Sequence, residues 1–240
     1  MPPRFYCPDL AGTQAVIEGD QLHHLRTVRR LGQGDEVELF DGCGRLARCR
    51  LVRLDRHGAE AEILQTHDAP PPAARLTVAT AVPKAGRMDT LVEKVTELGV
   101  TAIWPLDCEH SSVADSGEGK QQSWRRRAVE ACKQCGRLYL PQIAPPMSLQ
   151  DALAGMGREA VVLLADPSPD AGQPAAVLAD VPAGADLVAF IGPEGGFTDA
   201  ERQHTIRCGG RAIRLAHAVL RIETAAIAMA AVVAAWRRNE

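Results

Sequence analysis

No apolar run in this 240-residue sequence is long enough to cross a bilayer. The longest, Ala225–Trp236, falls short of the roughly 20 residues a span requires and is bracketed by Arg221 and Arg237. It reads as a buried helix. The opening Met1-Pro2-Pro3-Arg4 lacks the apolar centre of a secretion signal, so a cytoplasmic location is expected. The sequence also lacks a large charge imbalance: a net charge of -3 excludes a generally basic coat for nucleic acid, and any basic surface must be local. No glycine run leads into Gly-Lys-Ser/Thr, and no G-x-G-x-x-G opens a strand–helix unit, so the two common nucleotide-phosphate loops are missing. There is no internal repeat and no low-complexity tract.

Cysteine is present but unpatterned. Seven residues (Cys7, Cys43, Cys49, Cys108, Cys132, Cys135 and Cys208) are scattered and odd in number, which argues for reduced thiols. Cys132 and Cys135 form a lone CxxC with neither a second pair nor two histidines at ligand spacing, so no metal site is expected. His23 and His24 are adjacent on an expected helix and point in different directions, which is unsuited to chelation.

The first region is β-rich. Ala15–Ile17, Asp35–Asp41, Arg45–Leu54 and Ala59–Gln65 alternate or cluster apolar residues, with Asp41-Gly42 as a hairpin turn. One helix is expected over Gln21–Arg30, capped by Asp20 and ended before Gly32. A small barrel over residues 1–68 fits, followed by a stiff Pro-rich linker over 69–75. From residue 76 to 240 the pattern changes to strand–helix alternation. Strands are expected at Leu76–Val82, Ala102–Leu106, Ala160–Ala165, Leu187–Ile191 and Ala212–Leu215. Helices are expected at Met88–Leu98, Ser123–Cys135, Leu149–Leu153, Asp199–Cys208 and Glu223–Arg238, with a mobile loop at Asp115–Gln122. Continuous apolar strands between amphipathic helices imply a parallel sheet covered on both faces, an α/β domain.

Two late segments carry the chemistry. Ile191-Gly192-Pro193-Glu194-Gly195-Gly196 ends an apolar strand, and Thr198-Asp199-Ala200-Glu201 is a capping box that starts the next helix. The glycines let backbone approach a ligand closely. The plainer reading is a tight strand-to-helix turn. Leu215 to Ala225 is the second segment, leading into the Ala-rich helix. Arg221 suits a phosphate or a developing oxyanion, whereas Glu223 is explained by the dipole at a helix N-terminus. Glu93, Lys94 and Glu97 read as a routine ion-pair face. In Ser123–Arg137, Arg125, Arg126, Arg127, Lys133 and Arg137 face only Glu130, a single-sign bias that favours phosphate contact over a merely solvated face. Arg26, Arg29 and Arg30 cluster on the barrel helix. Arg45, Arg48 and Arg50 lie on a strand, where Asp35, Glu36 and Glu38 offset them.

Together these segments resemble the RsmE family of SPOUT-class RNA methyltransferases. Lys84-Ala85-Gly86-Arg87-Met88, Glu97-Leu98-Gly99-Val100, the Glu130, Gln134 and Arg137 helix, Ile191–Phe197 and Leu220-Arg221-Ile222-Glu223-Thr224-Ala225 appear in the family's order. His24-Leu25, Val28-Arg29-Arg30, Gly34 and Leu39-Phe40-Asp41-Gly42 resemble its PUA-like barrel, so the likeness runs end to end. The resemblance implies S-adenosyl-L-methionine as cofactor, methylation of N3 of one uridine in the 16S ribosomal RNA of the small ribosomal subunit, a trefoil knot in the C-terminal domain, and a homodimer. It places the cofactor at Leu164 and Ala165, at Ile191, Gly192, Pro193, Glu194, Gly195 and Gly196, and at Leu215, Ala216, Val219, Leu220 and Thr224. Arg221 would stabilise the uracil anion with Glu223 as orienter, and Arg26, Arg29, Arg30, Arg125, Arg126, Lys133, Gln134 and Arg137 would hold RNA. One departure stands out: the family has Leu-Gly where this chain has Leu215-Ala216, and a left-handed alanine there would cost roughly 1 kcal/mol. The rival classes are a nucleotide-using α/β enzyme and a non-catalytic RNA-binding protein.

Overall fold

The structure, a computed structural model, describes residues 2–84, 86–110, 118–182 and 184–237. Ala85 of the Lys84–Met88 motif, residues 115–117 of the expected loop and Arg238 of the last expected helix lie outside them. The chain divides into two compact units, Met1–Pro71 with Cys132–Leu140, and Pro72–Ala131 with Pro141–Glu240.

In the first unit, strands β1 (Arg4–Tyr6), β2 (Gln14–Ile17), β3 (Glu36–Phe40), β4 (Arg45–Leu54) and β5 (Ala59–Asp68) form one sheet in the order β1-β3-β4-β5-β2. Period-two alternation sets its faces: Ala47, Cys49 and Leu51 are buried while Arg48 and Arg50 point outward. Phe5, Leu25, Val37 and Leu39 complete the core. Asp41 makes the β3–β4 turn by accepting from the N–H groups of Cys43 (2.7 Å) and Arg45 (3.0 Å), an Asx turn. The segment Cys132–Leu140 belongs to this unit through backbone bonds: Gly44 N–H donates to Leu138 O (3.1 Å) and Leu140 N–H to Gly42 O (3.0 Å). The Tyr139 hydroxyl also donates to Ala69 O (2.9 Å). Lys133 sits 5.6 Å above the Phe5 ring.

The barrel helix differs from its expectation. It starts at Gly19 with Glu18 as N-cap, so Asp20 lies in the first turn and does not cap it. After α1 (Gly19–His23) the chain continues as a π turn over His24–Val28 and ends at Arg30, whose φ of 55° is left-handed. Arg30 therefore holds the terminating position expected near Gly32. A π turn widens the helix by one residue and is a local strain that tertiary contacts must support.

In the second unit, β6 (Leu76–Ala81), β7 (Ala102–Asp107), β8 (Gln142–Ile143), β9 (Met147–Ser148), β10 (Val161–Ala165), β11 (Leu187–Ile191) and β12 (Arg211–Ile213) form a wholly parallel sheet. Its order is β12-β10-β11-β6-β7-β8, with β9 also on β7. Every residue of β6 and of β11 is buried, the mark of strands covered on both faces. The helices are α2 (Arg87–Glu97), α3 (Glu118–Cys135), α4 (Leu149–Ala154), α5 (Pro174–Ala179), α6 (Asp199–Arg207) and α7 (Ile222–Arg237). Residues 118–122 are thus helical, where a loop was expected. Ile222, Ala225, Ala226, Met229, Ala230 and Val233 recur at helical spacing and bury one face of α7, which packs on α2, β6 and β11. Among the described residues no helix is long and apolar enough to cross a membrane.

Candidate cofactor and catalytic site

Strands β12, β10 and β11 are neighbours and run parallel, so the loops at their C-terminal ends emerge side by side. That is where an open α/β sheet binds ligands. A cavity of about 240 Å³ opens there, lined from the β10 end by Ala165, Asp166 and Pro167 and from the β11 end by Ile191 to Gly196. The last loop and α7 supply Leu215, Ala216, Ala218, Val219, Leu220, Ile222 and Ala225. The structure thus gathers Ala165, all six residues Ile191–Gly196, Leu215, Ala216, Val219 and Leu220 into one cavity wall. Four of the expected cofactor and catalytic residues do not line it: Leu164, Arg221, Glu223 and Thr224. Leu164 is buried in β10 and faces the core, because alternation turns it away from its neighbour at 165. Thr224 and Arg221 are exposed and do not line the cavity.

Local bonding fixes each loop. Gly196 N–H donates to Pro193 O (2.8 Å), closing a four-residue turn, and Gly196 has a φ of 76° that an L side chain rarely adopts. The capping box at Thr198 and Glu201 is complete, with the Glu201 carboxylate accepting from Thr198 N–H (2.8 Å) and Thr198 Oγ1 accepting from Glu201 N–H (3.2 Å). His110 Nδ1 lies 3.3 Å from Gly196 O. In the last loop, Arg214 donates from Nε to Ala216 O and from Nη2 to His217 O, each at 3.3 Å. Ala216 is not left-handed: among the described residues Arg30 is the one non-glycine with positive φ. The alanine that replaces the family glycine therefore carries no strain of that kind.

Charge in the cavity wall is carboxylate only. Among the described residues its ionisable groups are Asp166 and Glu194, and no lysine or arginine lines it. Phosphates would meet repulsion there, whereas a cationic ligand with an apolar ring would meet both complements. Each carboxylate is tethered from behind. Asp166, 7% exposed, accepts from Arg202 Nε (2.6 Å) and from Ser168 N–H (2.9 Å). Burial pushes the Asp166 carboxyl up, but the Ser168 bonds and Arg202 outweigh it and hold the group below the usual carboxylate range. Arg87 Nη2 donates to Glu194 Oε1 (3.0 Å), and Arg87 Nη1 lies 3.6 Å from Glu223 Oε2.

A group with a depressed folded pKa stabilises above its unfolded value, about 3.9 for Asp, and loses that contribution as pH falls through the lower folded value. Asp166→Asn is therefore expected to cost about 1–2 kcal/mol at pH 7, the lower part of the range for charge-assisted bonds because Arg202 is a third exposed. It should also shrink the acid-side fall in stability. Denaturant unfolding from pH 7 to pH 2 checks both.

The basic residues divide. Arg48 and Arg50 are held by Glu36 (2.5 and 3.5 Å) and Arg45 by Asp68 (2.7 Å). Glu38 pairs with Arg4 (2.7 Å) and Asp35 accepts from Gly32 N–H (2.8 Å), so neither offsets the strand arginines as expected. Arg26 donates to Asp55 O (3.2 Å), whereas no side-chain partner of Arg29 or Arg30 is found among the described residues. In the expected basic run Arg127 faces Asp89 (3.3 Å), beyond Glu130. Arg125, Arg126 and Gln134 are exposed, and Lys133 and Arg137 half-buried. Glu93 and Glu97 are both bonded to Lys94 (2.8 and 2.9 Å), the ion-pair face expected of them. All seven cysteines are free, and burial pushes the Cys49 and Cys132 thiols up to about 12. Among the described residues no group of three or more His, Cys, Asp or Glu is arranged to hold a metal ion.

Sequence reasoning missed Arg87, Arg202, Arg214 and His110 as supports of this site. Arg87 stands in a motif quoted for the resemblance, but its partners are 107 residues away at Glu194 and further still at Glu223. No local pattern announces them.

A family profile described as an RNA methyltransferase domain matches residues 70–234, and one described as an RNA methyltransferase PUA domain matches residues 17–64. A ribosomal RNA small subunit methyltransferase E from Mycobacterium bovis is 33% identical over 235 residues, 94% of this chain and 87% of that protein. The crystal structure of a ribosomal RNA small subunit methyltransferase E from Neisseria gonorrhoeae bound to S-adenosyl methionine superposes with a TM-score of 0.86 at 31% identity, covering 98% of both chains. A putative methyltransferase from Legionella pneumophila, in complex with the same cofactor, gives a TM-score of 0.87 at 27% identity and 98% coverage of both chains.

Proposed function

The chain belongs to the RsmE family of ribosomal RNA small subunit methyltransferases, and from that premise we propose that it methylates N3 of one uridine in 16S ribosomal RNA. S-adenosyl-L-methionine supplies an electrophilic methyl group on a sulfonium and leaves as a neutral thioether. The observation that carries the reading is the cavity wall: three loop ends converge, with apolar side chains and carboxylates and without a cation. Ile191, Leu215, Leu220 and Ile222 would hold the adenine, and Glu194 and Asp166 would face the cationic and hydroxyl-bearing parts.

Uridine N3–H is a weak acid, and each pK unit of activation is worth about 1.4 kcal/mol. Arg221, beside the lining residues Leu220 and Ile222, would stabilise the uracil oxygens as charge develops. Glu223 would orient the site from the first turn of α7. The base must leave its stack to enter. Arg29 and Arg30, with Arg26, Arg125, Arg126, Lys133, Gln134 and Arg137, would position RNA through its phosphates. Replacing Arg29 and Arg30 with alanine is expected to weaken RNA binding and to reduce the slope of log K against log salt by roughly 2, about one per lost phosphate contact. Filter binding across a salt series reads it. A homodimer, a trefoil knot in the second unit and a cytoplasmic location complete the proposal.

Calorimetry separates the classes. This reading expects binding of S-adenosylmethionine and of its homocysteine product, with no uptake of NAD or ATP. A nucleotide-using enzyme reverses that result, and a non-catalytic RNA-binding protein takes up neither.

A further inference from the structure

Methylation at N3 releases the proton that N3 carried, and some group must accept it. Among the described residues only three buried side-chain polar atoms lack a hydrogen bond: Arg4 Nη1, Arg237 Nε and Glu223 Oε2. Two are donors; only Glu223 Oε2 is an acceptor, and of the three residues only Glu223 adjoins a residue of the cavity wall, Ile222. A buried acceptor left unmatched is destabilising, so this oxygen is suited to a donor brought by a ligand. The Glu223 side chain is 12% exposed. Its neighbours on α7, Ile222 and Ala225, line the cavity, and a single guanidinium separates it from Glu194 of the cavity wall. Arg87 holds that guanidinium in place, at 3.0 Å from Glu194 Oε1 and at 3.6 Å from Glu223 Oε2, the second too long for a hydrogen bond.

Among the described residues of the elements packed most on α7, no second cation is paired with the carboxylate. Of the elements packed on α7, β6 (LTVATA), β11 (LVAFI) and α5 (PAAVLA) contain no ionisable residue. On α2, Asp89 faces Arg127, and Glu93 and Glu97 are held by Lys94, so Arg87 is the group that α2 turns toward Glu223. Arg221, just before α7, has no ion pair among the described residues.

We propose that Glu223 is the proton acceptor of the methyl transfer, with Arg87 as the positioning residue that aims it; this rests on the N3-uridine reading above. The N3–H bond breaks and its proton passes to Glu223 Oε2. The electron pair left on N3 forms the bond to the methyl carbon, and the C–S pair remains on sulfur. Glu223 then returns the proton to water.

The test compares wild type with Glu223→Gln, an isosteric change, in single-turnover transfer to small ribosomal subunits, alongside calorimetry with S-adenosylmethionine. The expected result is a loss of about 10²- to 10⁴-fold in rate, with cofactor affinity unchanged. The variant should also lack the acid limb of the wild-type pH–rate profile. Subunits carrying 5-fluorouracil, whose N3–H is more acidic, should recover at least tenfold of the loss, a rescue that a merely structural role would not give. Full rate in the variant, a loss confined to cofactor affinity, or a defect indifferent to fluorination overturns the proposal. Should Glu223→Gln fail to fold, Glu223→Asp, which keeps the carboxylate, is expected to be slower with its acid limb intact; loss of that limb overturns the assignment. A wild-type protein that binds no cofactor, or transfers methyl to another atom, contradicts the underlying function instead.

Discussion

Replacing Arg221 with alanine is expected to cut methyl transfer about 10²- to 10³-fold while leaving the Kd for S-adenosylmethionine within about twofold, as for loss of one preorganised group facing a developing oxyanion. The separation of the two effects follows from placement. Arg221 is exposed, does not line the cavity and has no ion pair among the described residues, so neither cofactor binding nor folding is expected to depend on it. Its thermal stability should shift by no more than the roughly 0.5 kcal/mol typical of surface changes. Single-turnover rates with calorimetry decide the matter: undiminished transfer would clear Arg221 of a catalytic part, and lost cofactor binding would make it a binding residue instead.

The second large effect is expected at Gly192. A Cβ there would stand 2.9 Å from Phe197 Cδ2 and 3.2 Å from the Phe197 backbone nitrogen. The ring can turn away from such a contact, but the backbone atom belongs to the residue just before the capping box, which fixes the start of α6. Gly192→Ala should therefore push the turn outward into the cavity. Overpacking of this kind costs about 1–3 kcal/mol, which corresponds to a rise of roughly 5- to 150-fold in the cofactor Kd. The fold should survive, because the displaced segment is a surface turn. Calorimetry on a variant with an unchanged circular dichroism spectrum reads the effect, and an unchanged Kd would show that the turn relaxes away from the ligand.

These positions were visible in the sequence to different degrees, for physical reasons. Leu187–Ile191 was legible as a buried parallel strand because all five residues are apolar, and the Thr198–Glu201 box fixed a helix start through purely local bonds. The three loop ends could be brought together in thought because parallel strands separated by helices place their C-terminal ends on one side. The three-residue strand Arg4–Tyr6 is too short to show a period, and its pairing with Glu38–Phe40 is set by the sheet. The π turn at His24–Val28 and the left-handed Arg30 carry no composition signal; a helix over Gln21–Arg30 was the natural reading. The association of Cys132–Leu140 with the first unit depends on bonds to Gly42, Gly44 and Ala69, far away in sequence. Arg87 is the same kind of case. As a member of an exposed-looking helix start it resembles any charged residue, and only the fold sets Glu194 and Glu223 around it. Glu223 illustrates the cost of local reasoning, since helix-dipole stabilisation accounts for an acidic residue there but not for a buried oxygen without a hydrogen bond.

The most direct measurement is mass spectrometry of nucleosides from unmethylated small ribosomal subunits incubated with this protein and methyl-labelled S-adenosylmethionine. One labelled methyl per 16S RNA, on N3 of a single uridine, is the predicted result. Label on another atom or another base, or none at all from a folded protein that binds the cofactor, would contradict it.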